Sequence, residues 1–480
     1  MRTLFNVVCF LTVSLGCFAA ERPDHIVVVI ADDHSAHDST PYGSKLVDTP
    51  RMQRLADEGM VFDRAYVASP SCAPSRAALL TGLMSSRNGA MRNHVYPNPG
   101  THYMTEDLKN AGFHVAAFGK VAHGRKGAEM AGFDYFNTAF LADESFMNRA
   151  TKKPYDGKAL QAVRTYMEEK SQGGPLCLFL GINDPHKPWT SSRDRYQADG
   201  KNFDVPYFID SEIFREELAT YYNEVDHVDH LIGEFRSMTK EILGDNVLFV
   251  YTADHGAAVP FGKWTLFEAG IRSPFIFSWP GKIRPGQRSD AMVSWVDLLP
   301  TLVDLSGGSV PEEIDGGSFV SVLLGEKDSH RRFIFASHVG DGEQNYSPSR
   351  SVNDGRWKYI RYLDGEYMFT THQDLNNNRS FAPFHPEWVA VAEAGHAGAR
   401  EIVQRYYLPA KEHLYDLESD PFEKNNLAMD QRFADIKSRL SNVLDEWMQS
   451  QGDDGVDEGS SFFKRKDAIH DWGTHSFEAF

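Results

Sequence analysis

Residues His25-Ile-Val-Val-Val-Ile30 form an apolar run in which five consecutive side chains are β-branched. A strand with one wet face alternates polar and apolar residues, whereas a run apolar at every position is buried on both faces. That pattern belongs to a parallel sheet covered by helices on each side. Three further runs read the same way: His114-Val-Ala-Ala-Phe118, Leu176 to Ile182, and Asn246 to Tyr251. Val61 to Val67 reads as another strand. Between them lie helical signals. Thr49-Pro50 sets an N-cap and a proline in the first turn, with Gly59 closing the helix. Ser75 to Leu80 reads as a short helix entered through Cys72-Ala-Pro74, and Ser211 to Leu243 carries a long amphipathic pattern. The expected fold is α/β, a large, mostly parallel sheet sandwiched by helices.

The texture changes after about residue 347. Arg350 to Tyr362 reads as a hairpin turning at Asn353-Asp-Gly355, Leu414 to Pro421 as a strand and turn, and Asp430 to Gln449 as a closing helix. The expected organisation is therefore a signal segment over 1–20, a catalytic α/β domain over 21–346, a smaller α+β domain with an antiparallel sheet over 347–450, and a tail over 451–480. In the first segment Arg2 precedes the apolar run Leu4 to Leu15, and small residues follow before Glu21. That is the pattern of export to the periplasm or medium, too short for a membrane span. Ser14-Leu15-Gly16-Cys17 also resembles a lipobox, so a lipid anchor on Cys17 is the alternative to plain cleavage. No other apolar run approaches eighteen residues, so no transmembrane segment is expected.

Composition narrows the partners. The formal charge is −18 and the isoelectric point near 5.5, which argues against a general nucleic-acid binder. Four cysteines are too few for a disulfide framework. Cys9 and Cys17 fall in the signal segment, and Cys177 sits in an apolar strand as core filling. Only Cys72 asks for a chemical explanation.

The polar residues cluster where such a sheet binds ligands, just past the carboxyl ends of strands. Asp32-Asp33 follows the first strand, Gly119-Lys120 the strand His114 to Phe118, Asn183-Asp184-Pro185-His186 a third, and Asp254-His255 a fourth. One aspartate after a strand usually caps a helix or faces water. Two acidic pairs in matching places repel each other unless a divalent cation joins them. An oxygen-rich set with one imidazole suits Ca²⁺, with Mg²⁺ possible, better than zinc. Cys72 precedes a proline at a helix start, where backbone N–H groups favour anions, and Arg76 follows one helical turn later.

Cys72-Ala-Pro-Ser-Arg76 followed by Leu80-Thr-Gly82 resembles the signature of type I sulfatases, in the alkaline phosphatase superfamily. The resemblance covers most of the chain after the signal segment. Ile30-Ala-Asp-Asp33 and Thr252-Ala-Asp-His-Gly256 are similar to the two metal motifs, with His255 where many members have Asn. Gly119-Lys120-Val-Ala-His123-Gly resembles the spaced Lys-x-x-His form of iduronate-sulfatase-like members, and Asp184-Pro-His186 the histidine after a central strand. Lys263 to Arg272 resembles the family's Lys…Glu-x-Gly-Ile-Arg segment, and Leu414 to Asn426 its C-terminal motif. Asn88-Gly89, Tyr346 to Val352 and the stretch near Tyr406-Tyr407 are most similar to heparan N-sulfatase.

The resemblance implies that a maturation enzyme converts Cys72 to Cα-formylglycine. Its hydrate would offer one hydroxyl to attack sulfur and a second whose deprotonation expels sulfate. Asp32, Asp33, Asp254, His255 and residue 72 would hold the cation; Arg76, Lys120 and Lys263 would neutralise sulfate oxygens. His186 would protonate the leaving atom and His123 act as base. The expected substrate is a sulfated saccharide, N- or O-linked, with Arg87, His94, His34 and His338 as candidate contacts and Arg87 or Arg92 extending a local basic pocket. Two other readings stay open: a phosphonate or phosphodiester hydrolase using the same signature, and an unmatured glycan-binding protein. His227 and His230, spaced like metal ligands on the long helix, read instead as an ordinary solvated or hydrogen-bonded face.

Overall fold

The structure, a computed structural model, describes residues 22–137, 158–189, 195–196, 208–341, 346–363, 369, 371 and 384–455. The leader expected over residues 1–20 and the tail beyond 455 lie outside them. The first nine strands are β1 (His25–Ala31), β2 (Met60–Phe62), β3 (Ala65–Tyr66), β4 (His114–Gly119), β5 (Tyr135–Asn137), β6 (Leu176–Gly181), β7 (Val247–Ala253), β8 (Phe275–Ser278) and β9 (Gln287–Ser289). Eight of them make one sheet in the order β5-β4-β6-β1-β7-β8-β2-β9. All neighbours pair in parallel except at β8, which runs against both β7 and β2.

β1 shows why a wholly apolar strand was needed. Its odd and even side chains enter two different cores. Val27, Val29 and Ala31 pack with Met52, Leu55, Val228, Leu231 and Phe235, from the helices Pro50–Asp57 and Glu212–Leu243. Ile26, Val28 and Ile30 pack on the other side, in the core that takes in Leu79, Leu108 and Leu302 from Cys72–Thr81, Met104–Asn110 and Leu298–Leu305. Each such buried aliphatic contributes about 1.5–3 kcal/mol, so a polar residue anywhere in β1 would cost one core or the other.

Strand register places the polar clusters side by side. Ile30 pairs with Gly181 and Thr252, Ala31 with Ala253, and Gly119 with Gly181. Residues 32, 120, 182 and 254 therefore leave the sheet along one edge. Gly181 allows the closest approach there: a Cβ at this position would stand 2.4 Å from the Lys120 carbonyl carbon.

Val61 to Val67 is not one strand. β2 ends at Phe62, Asp63-Arg64 turn the chain, and β3 pairs with β10 (Val293–Ser294) in a separate two-stranded sheet. The turn is fixed by charge, because Arg288 holds the Asp63 carboxylate. The short helix also begins earlier than the pattern suggests, at Cys72 itself.

The C-terminal sheet is antiparallel, in the order β11 (Ile334–His338), β12 (Ser349–Asn353), β13 (Trp357–Tyr362), β14 (Glu412–Asp416). The hairpin turns where expected: Gly355 has φ +97° and donates its N–H to Asn353 Oδ1 at 2.7 Å. The helix Ala434–Ser450 covers this sheet through Leu440 and Leu444, and Trp447 stacks on Phe335 with ring centroids 4.7 Å apart. Cys177 is fully buried in β6. No described helix is long and apolar enough to cross a membrane.

Candidate active site

The sheet edge delivers three carboxylates and a histidine to one point, and the helix Cys72–Thr81 delivers the cysteine. Ligand atoms of Asp32, Asp33, Cys72, Asp254 and His255 all lie within 4.8 Å of one another, and every one of these residues is buried. Asp33 has φ +65°, a left-handed conformation that sends its side chain into the cluster while its N–H donates to Asp254 Oδ1 at 3.0 Å. Ser71 is extended and leads into the helix, so Cys72 occupies the first position with its side chain facing inward. Its Sγ stands 3.3 Å from His255 Nε2, 3.4 Å from Lys120 Nζ and 3.5 Å from Asp32 Oδ1. Two anchors fix the helix start: Ala73 N–H donates to Asn93 Oδ1 at 2.9 Å, and Ser75 Oγ–H to the Asp254 carbonyl at 2.6 Å.

Three buried cations frame the carboxylates. Arg76 donates from Nε to Asp254 Oδ2 at 3.0 Å and from a terminal nitrogen to Asp32 Oδ1 at 3.3 Å, with its other terminal nitrogen on the Lys120 carbonyl. Lys120 is paired with Asp32, and Lys263 donates to both oxygens of Asp33 at 2.9 Å. Burial alone would raise the Asp32 carboxyl, but Lys120, His186 and Arg76 together hold it well below its ordinary value. Burial raises the Cys72 thiol well above its usual range despite Lys120 and Lys263. An unmodified thiol here is therefore protonated and a poor nucleophile. An oxygen-bearing side chain at position 72 would instead join an oxygen-rich donor set.

The sulfatase family model matches residues 24–308, and a model described as N-sulphoglucosamine sulphohydrolase, C-terminal, matches 255–380. The chain belongs to the sulfatase family. It is 29% identical to an ulvan-active sulfatase of Formosa agariphila, over 90% of this chain and 81% of that protein. With human N-sulphoglucosamine sulphohydrolase the identity is 27%, over 93% of this chain and 94% of the relative. A solved protein in complex with its substrate, D-glucosamine-2-N,6-O-disulfate, shares the fold, with a TM-score of 0.67 at 20% identity, covering 92% of this chain and all of that one. As a sulfatase, the chain is a sulfuric ester hydrolase.

Three histidines stand near this cluster. His186 Nε2 is 4.0 Å from Asp33 Oδ2, and a quarter of its side chain is exposed. Its Nδ1–H donates to the Lys187 carbonyl at 2.5 Å, so Nε2 is the nitrogen that gains and loses a proton. Burial, then Lys120, His94 and Arg76, push His123 down to about 3, which leaves it neutral in ordinary buffers. His94 Nδ1 meets His123 Nε2 at 2.8 Å.

Three candidate contacts are buried or engaged by other residues. His34 is fully buried, with Nδ1 on the Tyr251 hydroxyl at 2.6 Å and Nε2 on the Asp38 carbonyl at 3.1 Å. The left-handed turn at Asp33 sends the neighbouring side chain away from the cluster. Arg87 is tied to Asp315 at 2.7 Å. His338 is buried in β11. His227 binds the Asp184 carboxylate at 2.6 Å, the hydrogen-bonded face expected of it. Two residues had no motif to announce them. Asn93 anchors the helix start; Asp341 faces His94 Nε2 at 3.1 Å and accepts from Trp264 Nε1 at 3.1 Å.

Proposed function

We propose that this chain is an exported sulfatase that removes an N- or O-linked sulfate from a saccharide, using formylglycine at position 72 and Ca²⁺ held by Asp32, Asp33, Asp254 and His255. The observation that carries the reading is the convergence of residue 72 with three carboxylate groups and three cations in one buried cluster. Formylglycine and the cation supply, when present, an activated hydroxyl for attack on sulfur and a second hydroxyl for releasing sulfate.

The chain's own residues do the remainder. Arg76 fixes Asp32 and Asp254 relative to residue 72, because one guanidinium spans both carboxylates. Lys120 and Lys263 sit on the oxygens a cation would share, and their ammonium groups offset the negative charge of a sulfate as it shifts. His186 Nε2 gives its proton to the leaving oxygen or nitrogen. His123, held neutral, takes a proton from the nucleophile side. Saccharide sulfates are favoured because two relatives are named for them: an ulvan-active sulfatase and an N-sulphoglucosamine sulphohydrolase. Arg87, His94, His34 and His338 remain candidates for holding the sugar, and His94 is the one bonded to His123.

The test is sulfate release by matured protein from a panel of defined sulfated mono- and oligosaccharides, beside an aryl phosphodiester and a phosphonate monoester. Turnover of one or more saccharide sulfates at the highest kcat/KM supports the proposal. Preference for the phosphorus esters, or saccharide binding without turnover, overturns it.

A further inference from the structure

His94 lies in a left-handed conformation, φ +61°, uncommon for a residue with a side chain. What holds it there is a tether at Asn93, which accepts from Ala73 N–H through its side chain and donates its backbone N–H to the Gly340 carbonyl at 3.1 Å. The same tether aligns Asn93 with Asp341 as a parallel bridge. The first turn of the Cys72 helix, the His94 ring and the Asp341 carboxylate are thus built as one unit. Trp264 Nε1–H occupies Asp341 Oδ2 at 3.1 Å, leaving Oδ1 to face His94 Nε2, also at 3.1 Å.

Resting on the sulfatase reading above, we propose that Asp341 is a positioning residue: through His94 it fixes the tautomer of His123 so that His123 Nδ1 is the bare, proton-accepting nitrogen. The argument is one of hydrogen placement. A carboxylate beside His94 Nε2 favours hydrogen on that nitrogen, leaving Nδ1 a lone pair. Asn93 Nδ2 competes for the same nitrogen only from 3.5 Å and without charge. The bare His94 Nδ1, 2.8 Å from His123 Nε2, can only accept, so His123 carries its hydrogen on Nε2. His123 Nδ1 is then a lone pair, and it is a buried atom with no hydrogen-bond partner among the described residues. A buried acceptor left without a donor costs free energy unless a substrate or nucleophile hydroxyl supplies one. No proton need pass along the chain; Asp341 and His94 only decide which nitrogen is available.

The experiment is ¹⁵N-histidine NMR of the full chain, with the His94 and His123 signals assigned by His94→Ala and His123→Ala. Wild-type protein should show both rings as the Nε2–H tautomer. Asp341→Ala should move His123 to mixed tautomers, and in matured protein lower kcat about tenfold with KM within about threefold, as for loss of an oriented base. Asp341→Glu should restore part of both signals. If Asp341→Ala does not fold, His94→Ala serves in its place, since it leaves the Asp341–Trp264 bond intact and should mix the His123 tautomers equally. An Nδ1–H tautomer of His123 in wild type overturns the proposal. So does a fall in kcat with unchanged tautomers, which would place the effect on Trp264 and Lys263. The NMR arm needs no turnover, so its outcome is separate from whether the chain cleaves sulfate.

Discussion

Two of the buried clusters of carboxylates and cations among the described residues are built in opposite ways. In the first, Asp32, Asp33 and Asp254 are each paired with Arg76, Lys120 or Lys263, and oxygens of all three converge with His255 and Cys72. In the second, one ammonium sits between two carboxylates: Lys358 Nζ lies 3.2 Å from Glu268 Oε1 and 2.8 Å from Glu423 Oε1. The remaining oxygens there are also taken, Glu423 Oε2 by the Glu268 N–H at 2.5 Å and Glu268 Oε2 by the Tyr66 hydroxyl at 3.3 Å. Both clusters are acidic and both are buried. The first gathers its carboxylates around one point that a divalent cation can share. The second spreads its carboxylates around one ammonium, and fastens β13 of the C-terminal sheet to the helix Glu268–Ile271. Converging oxygens, more than acidity or burial, separate a metal centre from a structural clamp.

This contrast can be broken by experiment. The largest effect should come from Cys72→Ala, which should lower sulfate release on the order of 10⁴-fold or more, with the melting temperature little changed. Near-wild-type turnover by that variant would remove the first cluster from catalysis. Next, Asp254→Asn should weaken Ca²⁺ binding by roughly 100-fold or more in calorimetric titration, whereas Glu423→Gln should leave it unaltered. Equal losses would mean that the clusters are not distinct in kind. Lys358→Met removes the cation from a pair of buried carboxylates and should cost about 3–5 kcal/mol in denaturant unfolding, again without change in Ca²⁺ affinity.

The smallest effect is one of pH. Burial, opposed in part by Lys358, raises the Glu423 carboxyl from 4.5 to about 7. Folded protein therefore binds that proton more tightly than unfolded chain. Its contribution to stability is full below about pH 4.5 and is lost as the pH rises to about 7. Glu423→Gln should flatten that part of the melting-temperature profile; an unchanged slope would assign it to other groups.

Much of this was legible in the sequence because it is local. An apolar run with no alternation names a buried parallel strand, and the polar residue after it is at the ligand edge by construction, as Asp32, Lys120, His186 and Asp254 all are. What escaped is set by tertiary contact. His34 follows two site residues, yet one positive φ at Asp33 turns it towards Tyr251. Arg87 lies on the helix Ser85–Asn88, and Asp315, distant in sequence, pairs with it. Asn93 and Asp341 belong to no periodic pattern, and only the folded chain brings them to His94. Glu268 and Glu423 sat inside recognisable segments whose purpose the sequence did not disclose; Lys358, from β13, explains them.

The central claim is that residue 72 is not a cysteine in the working enzyme. Mass spectrometry of the peptide spanning Ser71 to Arg76, from protein produced with a formylglycine-generating enzyme and shown to release sulfate, tests it most directly. The account predicts the mass of an aldehyde in place of the thiol, with activity rising in proportion to the converted fraction. Full activity in protein whose position 72 is entirely unmodified thiol would contradict it.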